Sequence, residues 1–383
     1  MTKLMDNLTH SLVAASLGRV GLADKVPGGT ASLVVVANVA DLDVISSFWG
    51  ELYYLAHHRG ITHSILGTVA IALPMVAVLW LVARCRGHAV SPWQMGLAVC
   101  LTAATHPLLD LTNSYGLRPF LPFQDHWYYG DLVFIVDPYM WLLLGGAVFL
   151  AGKQNRRTRI FWAVAAAGAS FVVLVGSFGL GLWLSPTVWI LGIVLVIWMK
   201  QHVRRPLPWG HLALAGMVVY WGILAGAHWL TLRQVYPEIQ SQYPWANRQD
   251  LSAIPRPANP FDWDVYLDLP EEIVYARVSP LSSGSPEFVV IPRNRTHPAA
   301  QAAMASCPGA IFTQFARFEV FEVTEMESGP VVTINDVRYT RLAASPGFGT
   351  ITIDLNAPEE IPCPKKIKTE RPPISQLREN PGL

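Results

Sequence analysis

Crossing a bilayer takes about 20 mainly apolar residues, because every backbone polar group must find its partner inside the segment. The run at 61–83, "ITHSILGTVAIALPMVAVLWLVA", meets that length without an Asp, Glu, Lys or Arg. Similar runs follow at 93–111, 132–151, 160–183 and 211–232. The shorter stretch at 187–199 lies between a Ser-Pro and a Lys and is counted as a sixth span. Composition agrees: 14% of the chain is charged, where a soluble domain carries about 25%. Two shorter apolar pieces, 8–22 and 31–40, precede these spans and are separated by "ADKVPGG". Each is too short to cross alone, and together they suggest a re-entrant hairpin, which needs protein around its broken backbone.

Past about residue 235 the pattern changes from apolar runs to alternation. "DWDVYLDL", "EIVYARV", "EFVVIP", "ARFEVFEV", "VVTINDVRYTRL" and "GTITIDL" read as half-buried strands. The expected architecture is an α-helical polytopic membrane bundle over 1–235, of about six spans plus the hairpin. A β-rich extramembrane domain follows over 236–360, with its strands in 255–358. The tail, 361–383, is polar and proline-rich and is expected to be disordered. The first residues show no clear small-residue cleavage site, so they are read as retained. A net charge of +1 gives no reason to expect nucleic acid as a partner.

Lysine and arginine in short loops set orientation. Counting from 61–83, Arg84, Arg86, Lys153, Arg156, Arg157, Arg159, Lys200, Arg204 and Arg205 all fall on one side, with Arg118 alone opposite. The basic side is expected to be cytoplasmic, which places the chain in the inner membrane with its β domain outside. Cys307 and Cys363 then lie where disulfides persist, and they either pair or stay as two thiols.

Polar residues beside membrane helices are costly and usually functional. His10 opens the first apolar piece, and Asp41 and Asp43 close the second. "HHRGITHS" opens the 61–83 span, and "HPLLD", with His106 and Asp110, closes the next. Asp131 and Asp137 flank the start of the third. Alternating spans bring these segments to one face of the bundle, as bundle metal sites require. His106 and Asp110, at i and i+4, share a helix face. Asp41 and Asp43 project to one side if their stretch is extended. Gly60 allows a tight turn that aims His58 and His63 inward. Arg59 either pairs with an aspartate or grips an anion such as phosphate. Thr62 or Ser64 can also simply cap the helix. His88, His202, His211, His228 and His297 stand alone and read as loop or interface residues.

The ordered set "NLTHSLVAASLGRVGL", "ADLD", "HRGITHS" and "HPLLD" resembles the family of membrane-bound, metal-dependent hydrolases, also described as LexA-binding and inner-membrane-associated. The resemblance covers roughly residues 5–150. By position it implies a polar set of His10, Asp41, Asp43, His58, Arg59, Gly60, Thr62, His63, His106 and Asp110. The family's proline before the first aspartate is Ala40 here.

The expected function is hydrolysis of an ester or phosphoester, of lipid-like character, by a water activated on one or two divalent ions. The metal ligands are His10, Asp41, Asp43, His58, His63, His106 and Asp110, and the mixed donor set suits zinc first, then manganese or iron. Asp131 or Asp137 would accept a proton, and Arg59 would act beside them. The alternative is a non-enzymatic membrane scaffold or sensor with a structural metal, whose β domain recruits a partner that the sequence does not identify. A transporter fits less well, because the polar groups gather at one face rather than at midplane.

Overall fold

The fold is taken from a computed structural model describing residues 7–153, 155–179, 184–203, 207–257, 259–282, 284–327, 329–340 and 349–356. The tail at 361–383 and Cys363 lie outside the described residues. Nine helices precede the sheets among the described residues: α1 (Asn7–Arg19), α2 (Thr30–Asn38), α3 (Glu51–His57), α4 (Ile65–Cys85), α5 (Pro92–Leu111), α6 (Pro138–Ala151), α7 (Arg156–Gly179), α8 (Leu184–His202) and α9 (Trp209–Gln242). A 3-10 segment, Val39–Trp49, continues α2.

Among the described residues, four helical segments are long and apolar enough to cross a membrane: Thr30–Trp49, Ile65–Cys85, Arg156–Ser177 and Trp209–Gln242. The expectation of six spans is therefore corrected. The run at 93–111 does form a helix, α5, but Gln94, Thr102, Thr105, His106 and Asp110 dilute its apolar character. The run at 132–151 becomes helical only from Pro138, leaving 14 residues, or about 21 Å against a hydrocarbon core of about 30 Å. The stretch at 187–199 lies in α8, whose end is the polar Lys200-Gln201-His202.

The paired pieces at the N-terminus also differ from expectation. α1 packs along α2 as a hairpin, but its second limb runs on to Trp49 instead of stopping at the aspartates. The helical backbone passes through Asp41 and Asp43 because histidines and an arginine from elsewhere take up their carboxylates. Trp141 Nε1 of α6 donates to Thr9 Oγ1 of α1 at 2.9 Å, tying this hairpin into the bundle.

The bundle has two chemically different ends. At one, Lys200 Nζ donates to the carbonyls of Leu150 and Gly152 at 2.8 and 2.9 Å, and Gly210 packs against Arg19. At the other end lie the starts of α1, α4 and α6, the end of α5 and the Asp41 segment. α9 has 34 residues, about 51 Å, and so outruns the hydrocarbon core. Its distal part, with Val235 and Ile239, shares one core with Ala253, Trp263, Val265 and Leu267 of the first sheet.

That sheet is antiparallel, ordered β1 (Leu251–Arg256), β2 (Asn259–Asp268), β3 (Glu272–Val278) and β4 (Val289–Pro292). A helical pair, α10 (Pro298–Ala305) and α11 (Cys307–Phe315), leads to a second antiparallel sheet. It contains β5 (Glu319–Met326), β6 (Gly329–Asp336) and β7 (Thr350–Asp354), and the short α12 (Val337–Thr340) follows β6. β1, with Pro255 inside it, and the two helices carry no alternation and were not expected. Cys307 is disulfide-bonded, while Cys85 and Cys100 are free.

Candidate metal centre

The segment "HHRGITHSILG" makes the central turn. Arg59 takes the left-handed conformation, with φ 51°, and Asp43 Oδ2 accepts its backbone N–H at 2.9 Å. Gly60 contributes room rather than handedness, since a Cβ there would lie 2.6 Å from the His57 carbonyl oxygen. Ser64 then caps α4, its Oγ accepting from the Gly67 N–H at 2.9 Å. Gly67 is needed as well, because a Cβ would overlap the Ile61 carbonyl oxygen. The result is a buried His63 at the mouth of α4.

Four ligand-type atoms converge in front of this turn. His63 Nε2 and His106 Nε2 lie 3.0 Å apart. Asp41 Oδ1 is 3.3 and 3.4 Å from these two nitrogens. Asp110 Oδ2 is likewise 3.3 and 3.4 Å from them. Ligands on one tetrahedral ion with bonds of about 2.0–2.1 Å sit about 3.3 Å apart, so each nitrogen–nitrogen–oxygen triangle has the size of one coordination face. Among the described residues, two overlapping triads lie close enough together that they could hold an ion: His10, Asp41 and His106, and His63, His106 and Asp110.

Each of the four is gripped from behind. His106 Nδ1 donates to the Ala37 carbonyl at 2.6 Å, because a carbonyl only accepts, so Nε2 is the nitrogen that a neutral ring offers to a ligand. His63 Nδ1 lies 2.9 Å from Thr62 Oγ1 and 3.4 Å from Asp43 Oδ2, so its Nε2 is the nitrogen turned to the convergence. Asn7 Nδ2 donates to Asp41 Oδ2 at 2.6 Å. Arg59 Nη2 holds Asp110 Oδ1 at 2.6 Å, while Asp110 Oδ2 is buried with no donor. Two imidazole nitrogens and two carboxylate oxygens therefore face one another in a buried site. Carboxylates and imidazole lone pairs do not gather this way in a low dielectric unless a cation or proton joins them.

The remaining expected residues have distinct places. His10 stacks on His106 at 3.9 Å, with its Nε2 3.5 Å from Asp110 Oδ1. Asp43 is turned away from the convergence. Its two oxygens take His58 Nδ1 at 3.1 Å and the Arg59 N–H at 2.9 Å, because a helical rather than extended backbone sends residues i and i+2 in different directions. His58 keeps a buried, unpartnered Nε2 but belongs to neither triad. Arg59 spends Nη1 on Asn113 Oδ1 and the Gly116 carbonyl, at 2.9 and 3.2 Å. Asp131 is held by Arg317 Nη1, at 2.9 and 2.8 Å to its two oxygens. Asp137 caps α6 through the Tyr139 and Met140 N–H groups and accepts from Tyr220 at 2.8 Å.

Asn7 and Asn113 were not singled out from the sequence. Asn7 precedes His10 by three residues on α1, a spacing that puts both on one face and was a readable signal. Nothing comparable marks Asn113. Just outside the helical spans, burial and then the Asp43 and Asp41 carboxylates push the Tyr54 phenol well above its ordinary range, so it remains a neutral hydroxyl.

Apolar helices around a buried His/Asp cluster define a multi-pass membrane protein with a potential metal centre. Residues 5–180 match the family model described as YdjM inner membrane protein. The chain is also similar to the "Uncharacterized protein YfhP" of Bacillus subtilis (strain 168), 27% identical over 181 residues, which is 45% of this chain and 54% of that protein. The chain thus spans about half the length of this curated relative. No solved structure matches it. The family match and the apolar helices together support a multi-pass inner-membrane location.

Proposed function

We propose that the chain is an inner-membrane, metal-dependent hydrolase whose centre is formed by Asp41, His63, His106 and Asp110, with His10 as a further nitrogen donor. The observation that carries this reading is the convergence of two imidazole nitrogens and two carboxylate oxygens 3.0–3.4 Å apart. A divalent ion there supplies a Lewis acid for an ester or phosphoester and lowers the pKa of a water. Zinc suits the imidazole and carboxylate set best, with manganese or iron as alternatives, and two overlapping triads leave room for one ion or two.

The protein's own residues preorganise this centre. Asn7 and Arg59 fix which carboxylate oxygens face inward, and Thr62 and the Ala37 carbonyl hold the two imidazole rings from behind. His58 Nε2 is the spare nitrogen beside them, available to a second ion or to the substrate. Asp131 and Asp137 are engaged by Arg317 and by the start of α6, so proton acceptance is not assigned to either.

Asp41 is the open edge of the centre, its side chain 18% exposed where His63 and His106 are 0% and 1%. Beyond it the exposed Leu42, Ile45, Phe48 and Trp49 form an apolar rim. That rim favours a lipid-like substrate whose polar ester enters past Asp41. The loop charges read from the sequence, and a disulfide at Cys307, favour an extracytoplasmic centre and β domain.

Burial of the histidines also favours a second reading, a scaffold or sensor with a closed, structural metal. Metal analysis of the detergent-purified chain, paired with a screen of lipid-like esters and phosphoesters, separates the two. Stoichiometric metal with turnover that His63→Ala abolishes supports the hydrolase. Metal without turnover favours the scaffold, and a metal-free protein that loses nothing in His63→Ala and His106→Ala sinks both.

A further inference from the structure

The C-terminal domain reaches the centre through one buried arginine. Arg338, in α12, is 3% exposed and is bonded through Nη2 and Nε to Asp336, at 2.6 and 3.0 Å. Asp336 is itself fully buried and also accepts the Arg317 N–H at 3.0 Å. Arg338 Nη1 crosses to the membrane part and donates to the Ser114 carbonyl at 2.6 Å. Ser114 stands between Asn113 and Gly116, whose oxygens accept from Arg59 Nη1, and Arg59 Nη2 holds Asp110 Oδ1. Tyr115 joins the same three parts, lying 4.6 Å beneath the Arg59 guanidinium and 5.0 Å from the Phe315 ring.

From this chain of contacts we infer that the β domain completes the metal centre, with Arg338 as the positioning residue that fixes the 113–116 loop and, through Arg59, the rotamer of Asp110. The inference rests on the proposal that Asp110 is a ligand. Its physical basis is rigidity. A buried guanidinium with a fixed fork of donors, anchored on a buried carboxylate, holds a loop carbonyl in place where a flexible or solvated contact would not. Residues behind a ligand commonly set metal affinity by about 10–100-fold, so removal of this link should weaken binding although no changed atom touches the ion.

The test measures zinc affinity of the full-length protein in detergent, by competition with a chromophoric chelator. Arg338→Met alone strands a buried carboxylate and endangers the fold. The double variant Asp336→Asn/Arg338→Met removes the charge pair together and keeps an acceptor for the Arg317 N–H. Arg338→Lys is the conservative rescue. Arg277→Ala, which breaks a pair with Asp262 on the outer sheet, is the control. The expected result is about tenfold weaker zinc binding in the double variant, partial recovery with Arg338→Lys, and wild-type affinity in the control. Wild-type affinity in a monodisperse double variant overturns the inference. A wild-type protein that takes up no zinc instead defeats the metal-centre proposal, so the two failures are distinct.

Discussion

His63 and His106 come from different helical segments, 43 residues apart, and meet Nε2 to Nε2 at 3.0 Å with each Nδ1 committed to a partner behind it. Two imidazole nitrogens at this distance, flanked by Asp41 and Asp110, are the middle of the proposed metal centre.

His63→Ala and Asp43→Asn should behave differently, although the sequence treats both positions as ligands. The first removes a facing nitrogen and is expected to abolish stoichiometric metal. The second removes an orienting charge behind His63 and His58 and should weaken affinity by about 10–100-fold while leaving stoichiometry intact. Metal content after dialysis against a weak chelator, followed by titration, checks both. Equal loss in the two variants would show that Asp43 binds the ion directly.

Arg59 is a buried cation with four protein acceptors: Asp110, Asn113 and the carbonyls of Asp110 and Gly116. Its truncation in Arg59→Ala leaves Asp110 buried and uncompensated, a loss of about 3–5 kcal/mol. Thermal unfolding in detergent should show a large fall in melting temperature, and Arg59→Lys should recover only part of it, because an ammonium lacks the fork. Near-complete recovery with lysine would mean that charge alone matters there.

Gly67→Ala and Gly96→Ala change helical glycines in α4 and α5. A methyl at Gly67 overlaps the Ile61 carbonyl and displaces the turn that carries His63, whereas a methyl at Gly96 meets nothing within 4 Å. The first substitution is expected to reduce both folded yield and metal content. The second should be neutral or stabilising by up to about 1 kcal/mol, because alanine is the better helix former. Size-exclusion profiles and metal analysis of the two variants, side by side, provide the check.

Asp131 and Arg317 join the 112–137 loop to the β domain through two hydrogen bonds of 2.8–2.9 Å. A double-mutant cycle with Asp131→Asn and Arg317→Met should return a coupling of about 0.5–3 kcal/mol in apparent stability. Additive effects would mean that this ion pair does not help to dock the domain. Turnover, once a substrate is in hand, is expected to survive Asp131→Asn at similar kcat, because its carboxylate serves docking.

The amino-acid sequence alone was enough to divide this chain into an apolar helical part and a β-rich part, because length and periodicity of apolar residues are local properties. It also marked His10, Asp41, His63, His106 and Asp110, since polar groups at membrane-helix ends stand out against an apolar background. Span number was less legible. The aspartates in "ADLD" look like a helix end, but partners distant in the chain satisfy them and let the segment run to Trp49.

Roles were decided only by the tertiary structure. Asp41 and Asp43 are chemically equal in the sequence, and a helical backbone turned one to the imidazole pair and the other to Arg59 and His58. Asp131 reads in the sequence as a candidate proton acceptor, and in the structure Arg317, 186 residues later, holds its carboxylate. Side-chain type and spacing depend on neighbours in the chain, whereas the direction of a lone pair depends on which donor packs behind it. That donor is supplied by the fold.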